Sequence, residues 1–184
     1  MKVIALNGSP RIGGNTELLL GAAIEGAGVD VTVFRLNDMN IRACQNYGGC
    51  DKTGICVIRD EMDAIYDAIR SADRIILASP IYFMALSAQV KAMMDRCQAL
   101  WCEKYLLGRK SVKDGCRGLL LLVGGLKRES GIRCCETSAT AFFRSIGVAE
   151  HDSLGFVGID RKGDILTHPT ALGEARAKGA ALVV

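Results

Sequence analysis

Histidine is scarce in this chain: His151 and His168 are the only two in 184 residues, beside one tryptophan and three prolines. That leaves little for a histidine-based acid–base pair or an activated nucleophile. There is no G-x-S-x-G nucleophile elbow, no Cys-x5-Arg loop and no G-x-G-x-x-G dinucleotide fingerprint. No apolar run approaches the ~20 residues of a transmembrane helix. The short apolar run Val3-Ile4-Ala5-Leu6 after Met1-Lys2 is too brief for a secretory signal. A formal charge of +3, with no Lys/Arg run, gives no footprint for nucleic acid. A cytoplasmic protein with neither membrane nor nucleic-acid partners is expected.

What is present is a core and a fold pattern. Hydrophobic residues make up 49% and charged residues 23%, the balance of a soluble globular chain. Apolar strands alternate with helical periodicity throughout. Val3–Leu6, Val29–Phe34, Arg74–Ala78, Leu119–Val123 and a segment within Glu150–Val157 are predicted strands. Glu17–Ala27, Asp60–Ser71, Ser87 to about Cys102, a segment of Ser130–Ile146, and Thr170 onward are predicted helices. Ser79-Pro80 is expected to stop the third strand. Five strands alternating with five helices predict an α/β fold in three layers. Its parallel sheet has order 2-1-3-4-5 and helices on both faces. With no linker in view, residues 1–184 are expected to form one domain with a cysteine-bearing loop at about 37–58.

The stretch Asn7-Gly8-Ser9-Pro10-Arg11-Ile12-Gly13-Gly14-Asn15-Thr16 stands out. A strand, a glycine-rich turn and a helix N-terminus make an anion cradle, because backbone N–H groups and the helix dipole converge there. A bare helix cap needs neither Arg11 nor three glycines. Gly8 and Gly13 have P-loop spacing, but Gly14-Asn15 stands where Lys-Ser/Thr belongs, so triphosphate hydrolysis is not expected. What remains is a binding loop for a terminal phosphate monoester. At the end of the third strand lies Ser79-Pro80-Ile81-Tyr82-Phe83-Met84, and Gly124-Gly125 follows the fourth. In a sheet of this order the ligand crevice opens between strands one and three, at their C-terminal ends. Aromatic side chains and free backbone groups there suit a flat heteroaromatic ring.

Asn7-Gly8-Ser9-Pro10-Arg11 with Gly14-Asn15-Thr16, then Ser79-Pro80-Ile81-Tyr82 with Ser87 and Lys91 to Arg96, resembles the NAD(P)H-dependent FMN reductase and iron–sulfur flavoprotein group. The resemblance implies a flavodoxin-like fold. It implies that Ser9, Arg11, Gly14, Asn15 and Thr16 bind the FMN phosphate, that Pro80, Ile81, Tyr82 and Phe83 line the isoalloxazine, and that Gly124 and Gly125 close over it. It implies an oxidoreductase that passes electrons from NAD(P)H through FMN to a quinone, flavin, metal or other small acceptor, and a homodimer or homotetramer. No catalytic side chain is assigned, because the flavin carries the chemistry. The alternatives are an electron-transfer flavoprotein serving a protein partner and a redox-responsive regulatory flavoprotein.

The eight cysteines are numerous for such a protein. Iron–sulfur members of the group carry C-x2-C-x2-C and a fourth cysteine a few residues on. Here Cys44, Cys50 and Cys56 take the first, third and fourth positions, and Tyr47 takes the second. Three thiolates leave a four-iron cluster or a structural zinc site one ligand short. A loop that shapes the active site or an interface is therefore the expectation, ahead of a cluster completed from elsewhere or a redox thiol pair. Cys97 and Cys102 are read as small core residues. Trp101 is left open between core, interface and flavin lid, and Arg35 is expected to be a solvated surface arginine.

Overall fold

The strands alternate their side chains between two apolar layers. In the computed structural model, which describes residues 1–184, the sheet is built from β1 (Val3–Asn7), β2 (Val31–Arg35) and β3 (Arg74–Tyr82), then β4 (Ala85–Leu86), β5 (Arg117–Gly124) and β6 (Glu150–Val157). Ile4, Leu6, Ile75, Leu77, Leu120 and Leu122 face one layer. Val3, Ala5, Ile76, Ala78, Leu119 and Leu121 face the other. That is the period-two consequence of a pleated strand buried on both faces.

The parallel strands run in the order β2-β1-β3-β5-β6, with β4 pairing antiparallel to β3. The five parallel strands match the expected order. The two-residue β4 is an addition, so the sheet has six strands. The first layer is covered by α3 (Met62–Ser71), α4 (Ala88–Arg96), α5 (Gln98–Tyr105) and α6 (Ser130–Ile146), through Met62, Ile65, Val90, Met93, Leu100 and Phe143. The second is covered by α1 (Asn15–Ala27) and α7 (Ala171–Leu182), through Leu19, Leu20, Ala23, Ala171 and Ala175. A one-turn helix, α2 (Cys50–Thr53), interrupts the otherwise irregular cysteine loop.

Two boundaries differ from expectation by more than two residues. The third strand does not stop at Ser79-Pro80 but runs to Tyr82. Pro80 is tolerated because Ala78 and Pro80 address the same side, where the Ala78 carbonyl accepts from Gly8 N–H at 2.8 Å. Beyond Asn7 β1 has ended, so the missing N–H of Pro80 takes nothing from the ladder. The predicted helix from Ser87 to Cys102 breaks at Cys97 (φ −67°, ψ 0°) into α4 and α5.

Small residues let α1 and α7 pack with their backbones almost touching. A Cβ placed on Gly179 would stand 1.8 Å from the Ala23 carbonyl oxygen, and one on Gly26 would stand 2.0 Å from the Arg176 oxygen. No side chain can move aside there, so the helices themselves would have to part. Gly179→Ala is therefore expected to destabilise the fold by ~1–3 kcal/mol, the cost of overpacking. Gly173→Ala, on the same helix with open space around it, is expected to stabilise by up to ~1 kcal/mol. Thermal or urea unfolding of the two variants measures the contrast.

Candidate flavin site at the C-terminal edge of the sheet

The loops that follow β1, β3, β5 and β6 meet at one end of the sheet, and specific contacts hold them together. Gly8 lies against the start of α4: a Cβ there would meet Val90 Cγ2 at 2.2 Å and Ser87 Oγ at 2.8 Å. The Ser87 hydroxyl donates to the Gly8 carbonyl at 2.9 Å, and the Ser87 N–H donates to Ser79 Oγ at 3.0 Å. Ser87 also caps α4 by accepting from the Val90 N–H. Gly131, in the first turn of α6, comes close to Ile81 and Met84.

The loop after β1, expected to hold a phosphate, presents unpaired donors. The N-cap of α1 is Gly14, with no side-chain cap, and the first bond into the helix runs from Leu18 N–H to the Gly14 carbonyl at 2.9 Å. The N–H groups of Asn15, Thr16 and Glu17 thus have no partner within the chain. The Thr16 hydroxyl makes no hydrogen bond either, and buried Asn7 keeps an Nδ2 without a partner. Buried polar donors are normally satisfied, and Asn7 Nδ2 is one of three buried side-chain atoms that are not, with Arg35 Nη2 and Arg96 Nε; the three N–H groups and the Thr16 hydroxyl add four further donors without a partner in the chain. Positive charge is close by. The Lys162 Nζ would lie 3.6 Å from a Cβ on Gly13, and exposed Arg11 reaches the Asp160 carbonyl through Nη1 at 3.5 Å.

Not every predicted phosphate ligand is free. Asn15 spends its side chain on the turn after β6: Nδ2 donates to the Arg161 carbonyl at 2.8 Å, and Oδ1 accepts from the N–H groups of Gly163 and Ile165. Only its backbone N–H remains for an anion. Buried Ser9 exchanges hydrogen bonds with the Arg11 backbone at 3.3 Å. Gly14 is held close, since a Cβ there would sit 2.9 Å from Arg11 Cβ.

Glu17 was not anticipated: its carboxylate accepts from Gly13 N–H and pairs with Arg35. Arg35 is therefore no solvated arginine but a half-buried one, holding Glu17 and Asp38. Burial lowers the Arg35 pKa, but its bonds to Asp38, the strongest influence, and to Glu17 raise it overall. Lys162, Asp160 and Asn15's partners all lie on the segment just past β6. The rule that ligands gather at the carboxyl ends of parallel strands would have pointed there.

The segment expected to line the flavin ring is a strained hairpin. Pro80 is buried, Ile81 is half-buried, and Tyr82 and Phe83 are exposed, Phe83 fully. Phe83 (φ +47°) and Met84 (φ +65°) form the two-residue turn between β3 and β4. Positive φ at both positions is the type I′ pattern, usually filled by Asn-Gly. Bulky residues there cost on the order of 1–3 kcal/mol each, and such strain gathers at functional sites. Gly124 and Gly125 do not simply leave room for a ligand. A Cβ on Gly125 would stand 2.7 Å from Asp160 Oδ1, and one on Gly124 would stand 3.3 Å from Ile81 Cδ1.

The cysteine loop is pinned from beneath. Arg96 is fully buried and pairs with Asp60 at 2.7 Å. It also donates to the carbonyls of Arg42 at 2.9 Å and Ile58 at 3.0 Å, while Tyr66 Oη donates to the Arg96 carbonyl at 2.7 Å. Burial is the strongest single influence on Asp60 and pushes its pKa up. Arg96 and the N–H groups of Arg42 and Met62 outweigh it and hold the carboxylate below its ordinary range. Cys44, Tyr47, Cys50, Cys56 and Gln98 line a cavity of about 30 Å³. Tyr47 is exposed, and within this loop only three thiols stand where a compact four-cysteine motif has four, so the loop by itself does not fit a four-thiolate cluster. Trp101 sits half-buried in the groove between α4–α5 and α6, beside Phe142, with its ring tilted against Tyr105 at 5.4 Å. Cys97 and Cys102 are both buried core thiols as expected, and Cys102 also meets Cys50.

Because the folded pKa of Asp60 lies below the unfolded value of about 3.9, its contribution is complete above that pH and is lost as the pH falls toward the folded value. Asp60→Asn leaves the Arg96 cation buried without its counter-charge. It is expected to cost ~3–5 kcal/mol at neutral pH. Urea unfolding followed from pH 7 to pH 3 should show a shallower acid loss in the variant than in the parent.

Residues 1–149 match the family model described as NADPH-dependent FMN reductase. The iron–sulfur flavoprotein of Methanosarcina thermophila is 38% identical over 128 residues, 68% of this chain and 64% of that protein. Iron-sulfur flavoprotein MJ1083 of Methanocaldococcus jannaschii is 41% identical over 103 residues, 54% of this chain and 53% of that protein. The chain thus aligns with between half and two thirds of these relatives' length. Among solved structures, the NAD(P)H:quinone oxidoreductase from Methanothermobacter marburgensis superposes with a TM-score of 0.76 at 20% identity, covering 99% of this chain and 96% of that one. An FMN-dependent NADH-azoreductase from Bacillus anthracis, crystallised with FMN, gives 0.72 at 14% identity over 100% and 99%. These two likenesses show the flavodoxin-like fold. The match across 1–149 shows the family: this chain belongs to the NADPH-dependent FMN reductases.

Proposed function

We propose that the chain binds FMN across the loops after β1 and β3 and is an oxidoreductase that delivers electrons from NAD(P)H to a small acceptor. The observation that carries this is the uncapped N-terminus of α1, whose unpaired N–H groups, with the Thr16 hydroxyl and Asn7 Nδ2, suit the oxygens of a phosphate monoester. No Walker lysine follows Gly13, and the loop offers no nucleophile for the phosphorus, so the phosphate is a handle. Lys162 and Arg11 add positive charge beside it.

Bound FMN supplies hydride acceptance and onward electron transfer. The residues of the chain position and shield. The Ser79–Ser87–Gly8 clamp fixes the spacing between the phosphate loop and the hairpin. Pro80 and Ile81 give an apolar floor at the end of β3, and Tyr82 and Phe83 offer exposed aromatic surface for a ring. The scarcity of histidine is consistent with this division of labour. A quinone, a free flavin, a metal ion or an azo compound all fit as acceptor classes, and a homodimer or homotetramer would give exposed Phe83 a partner surface. With no helix long and apolar enough to cross a membrane, we place the reaction in the cytoplasm.

Purified protein, reloaded with FMN where needed, should be yellow and should bleach anaerobically on adding NADPH. A colourless protein that takes up no FMN would overturn the proposal. Thr16→Val and Arg11→Ala are each expected to weaken FMN binding about 10-fold, the loss of ~1.4 kcal/mol, with melting of the apoprotein unchanged. Fluorescence titration of FMN measures it. Met84→Gly relieves the strained turn and is expected to raise stability by ~1 kcal/mol while lowering NADPH turnover, read in the same preparation by melting and by stopped-flow bleaching.

A further inference from the structure

Cys102 lies outside the loop motif, on α5, yet its thiol meets that of Cys50 on α2 at 3.8 Å Sγ–Sγ. Asp51 completes a triangle. Its Oδ1 is 3.3 Å from Cys102 Sγ and 4.0 Å from Cys50 Sγ. These three ligand atoms lie within 4.8 Å of one another, and no other group of three or more His, Cys, Asp or Glu side chains in the chain is so placed. Two thiolates on one tetrahedral ion, each at about 2.3 Å from it, stand about 3.8 Å apart. The observed separation is the edge of such a tetrahedron. A disulfide, at about 2.05 Å, would need the sulfurs to close on each other.

We propose that Cys50, Cys102 and Asp51 hold a single zinc-type divalent ion, tying the cysteine loop to α5. Two sulfurs and one carboxylate oxygen are the donor set of a borderline-soft metal, with the fourth position left for water or an exogenous ligand. Binding is a substitution without electron transfer. The two thiols release their protons to solvent as two metal–sulfur bonds form, the carboxylate adds the third bond, and the displaced waters of the hydrated ion leave to solvent. Gln98 Nε2, 3.7 Å from Cys102 Sγ, donates toward the buried thiolate as an outer partner. Cys102 is buried, Cys50 is half-buried and Asp51 is exposed, so the ion has an entry path on the Asp51 side. The arrangement differs from a compact-motif cluster: Cys44 and Cys56 take no part, and the second thiol comes from 52 residues away.

The test is anaerobic titration of the reduced full-length protein, with its flavin in place, by cobalt(II). Tetrahedral thiolate–cobalt absorbs strongly in the red, beyond oxidised flavin, and in the near ultraviolet. The expected result is one cobalt per chain with that spectrum, displaced by zinc. Cys50→Ser and Cys102→Ser should each weaken binding by about 100-fold or more, and Asp51→Asn by about 10-fold. Cys44→Ser and the exposed Cys134→Ser should leave it unchanged. Cys50 is half-buried, so its serine variant tests the site even where Cys102→Ser fails to fold, and circular dichroism checks the fold of each. A flat titration of the parent protein, a cobalt spectrum that survives Cys50→Ser or vanishes in Cys44→Ser, or four irons and four sulfides per chain after anaerobic preparation would overturn the proposal.

Discussion

The candidate flavin site depends on a hydrogen bond between two loops: the Ser87 hydroxyl donating to the Gly8 carbonyl. Gly8 belongs to the phosphate loop, and Ser87 opens the helix that follows the β3–β4 hairpin. With Ser79 accepting from the Ser87 N–H, two buried serines and a glycine carbonyl set the distance between the proposed phosphate loop and the aromatic hairpin. The bond is fully desolvated, so breaking it would strand a buried carbonyl. It also explains why residue 8 must be glycine. Any Cβ there would displace Val90 and separate the two halves.

A second buried constraint holds the cysteine loop. Arg96 spends its guanidinium on Asp60 and on the carbonyls of Arg42 and Ile58, so an otherwise irregular segment is fastened at both ends. Such a pair is weak support for total stability, since desolvation offsets most of its attraction, but it specifies one arrangement by making every alternative strand a charge. The same fastening delivers Cys50 and Asp51 to Cys102. Pinning by charge beneath the loop and by thiols at its edge are thus successive parts of one structure, joined through α4 and α5 across the break at Cys97.

What the sequence disclosed, and what it hid, follows from the range of the forces. The parallel strand order was legible because strands buried on both faces are uniformly apolar, as in Leu119–Val123, and their spacing admits few topologies. The glycine-rich loop was legible because its N–H geometry is local. Pro80 misled, because its tolerance depends on where a neighbouring strand ends, which is a non-local fact. The hairpin at Phe83-Met84 carried no turn signal, since its residues are the opposite of those a type I′ turn favours. Asn15, Glu17 and Arg35 could be placed near the loop, but whether a polar side chain serves a ligand or the chain's own backbone is decided by partners about 150 residues away in one case, Arg161 and Gly163. Cys102 is buried in the core as expected, but its contact with Cys50 joins residues 52 apart in the chain and had no local signal.

The glycines sharpen this last point. A glycine beside a presumed ligand invites the inference that the ligand needs the space. At Gly125 and Gly8 the space is already claimed, by Asp160 and by Val90 and Ser87. The donors that remain unclaimed are the more discriminating signal: three N–H groups of α1, the Thr16 hydroxyl and the Asn7 amide. Arg35 Nη2 and Arg96 Nε are also unpartnered, but each belongs to a guanidinium whose other nitrogens are bonded, whereas the N–H groups at the start of α1 have no partner at all; that contrast is what supports an acceptor from outside the chain. Small residues therefore show how these loops are packed together, and the unpaired donors are what supports the proposed phosphate.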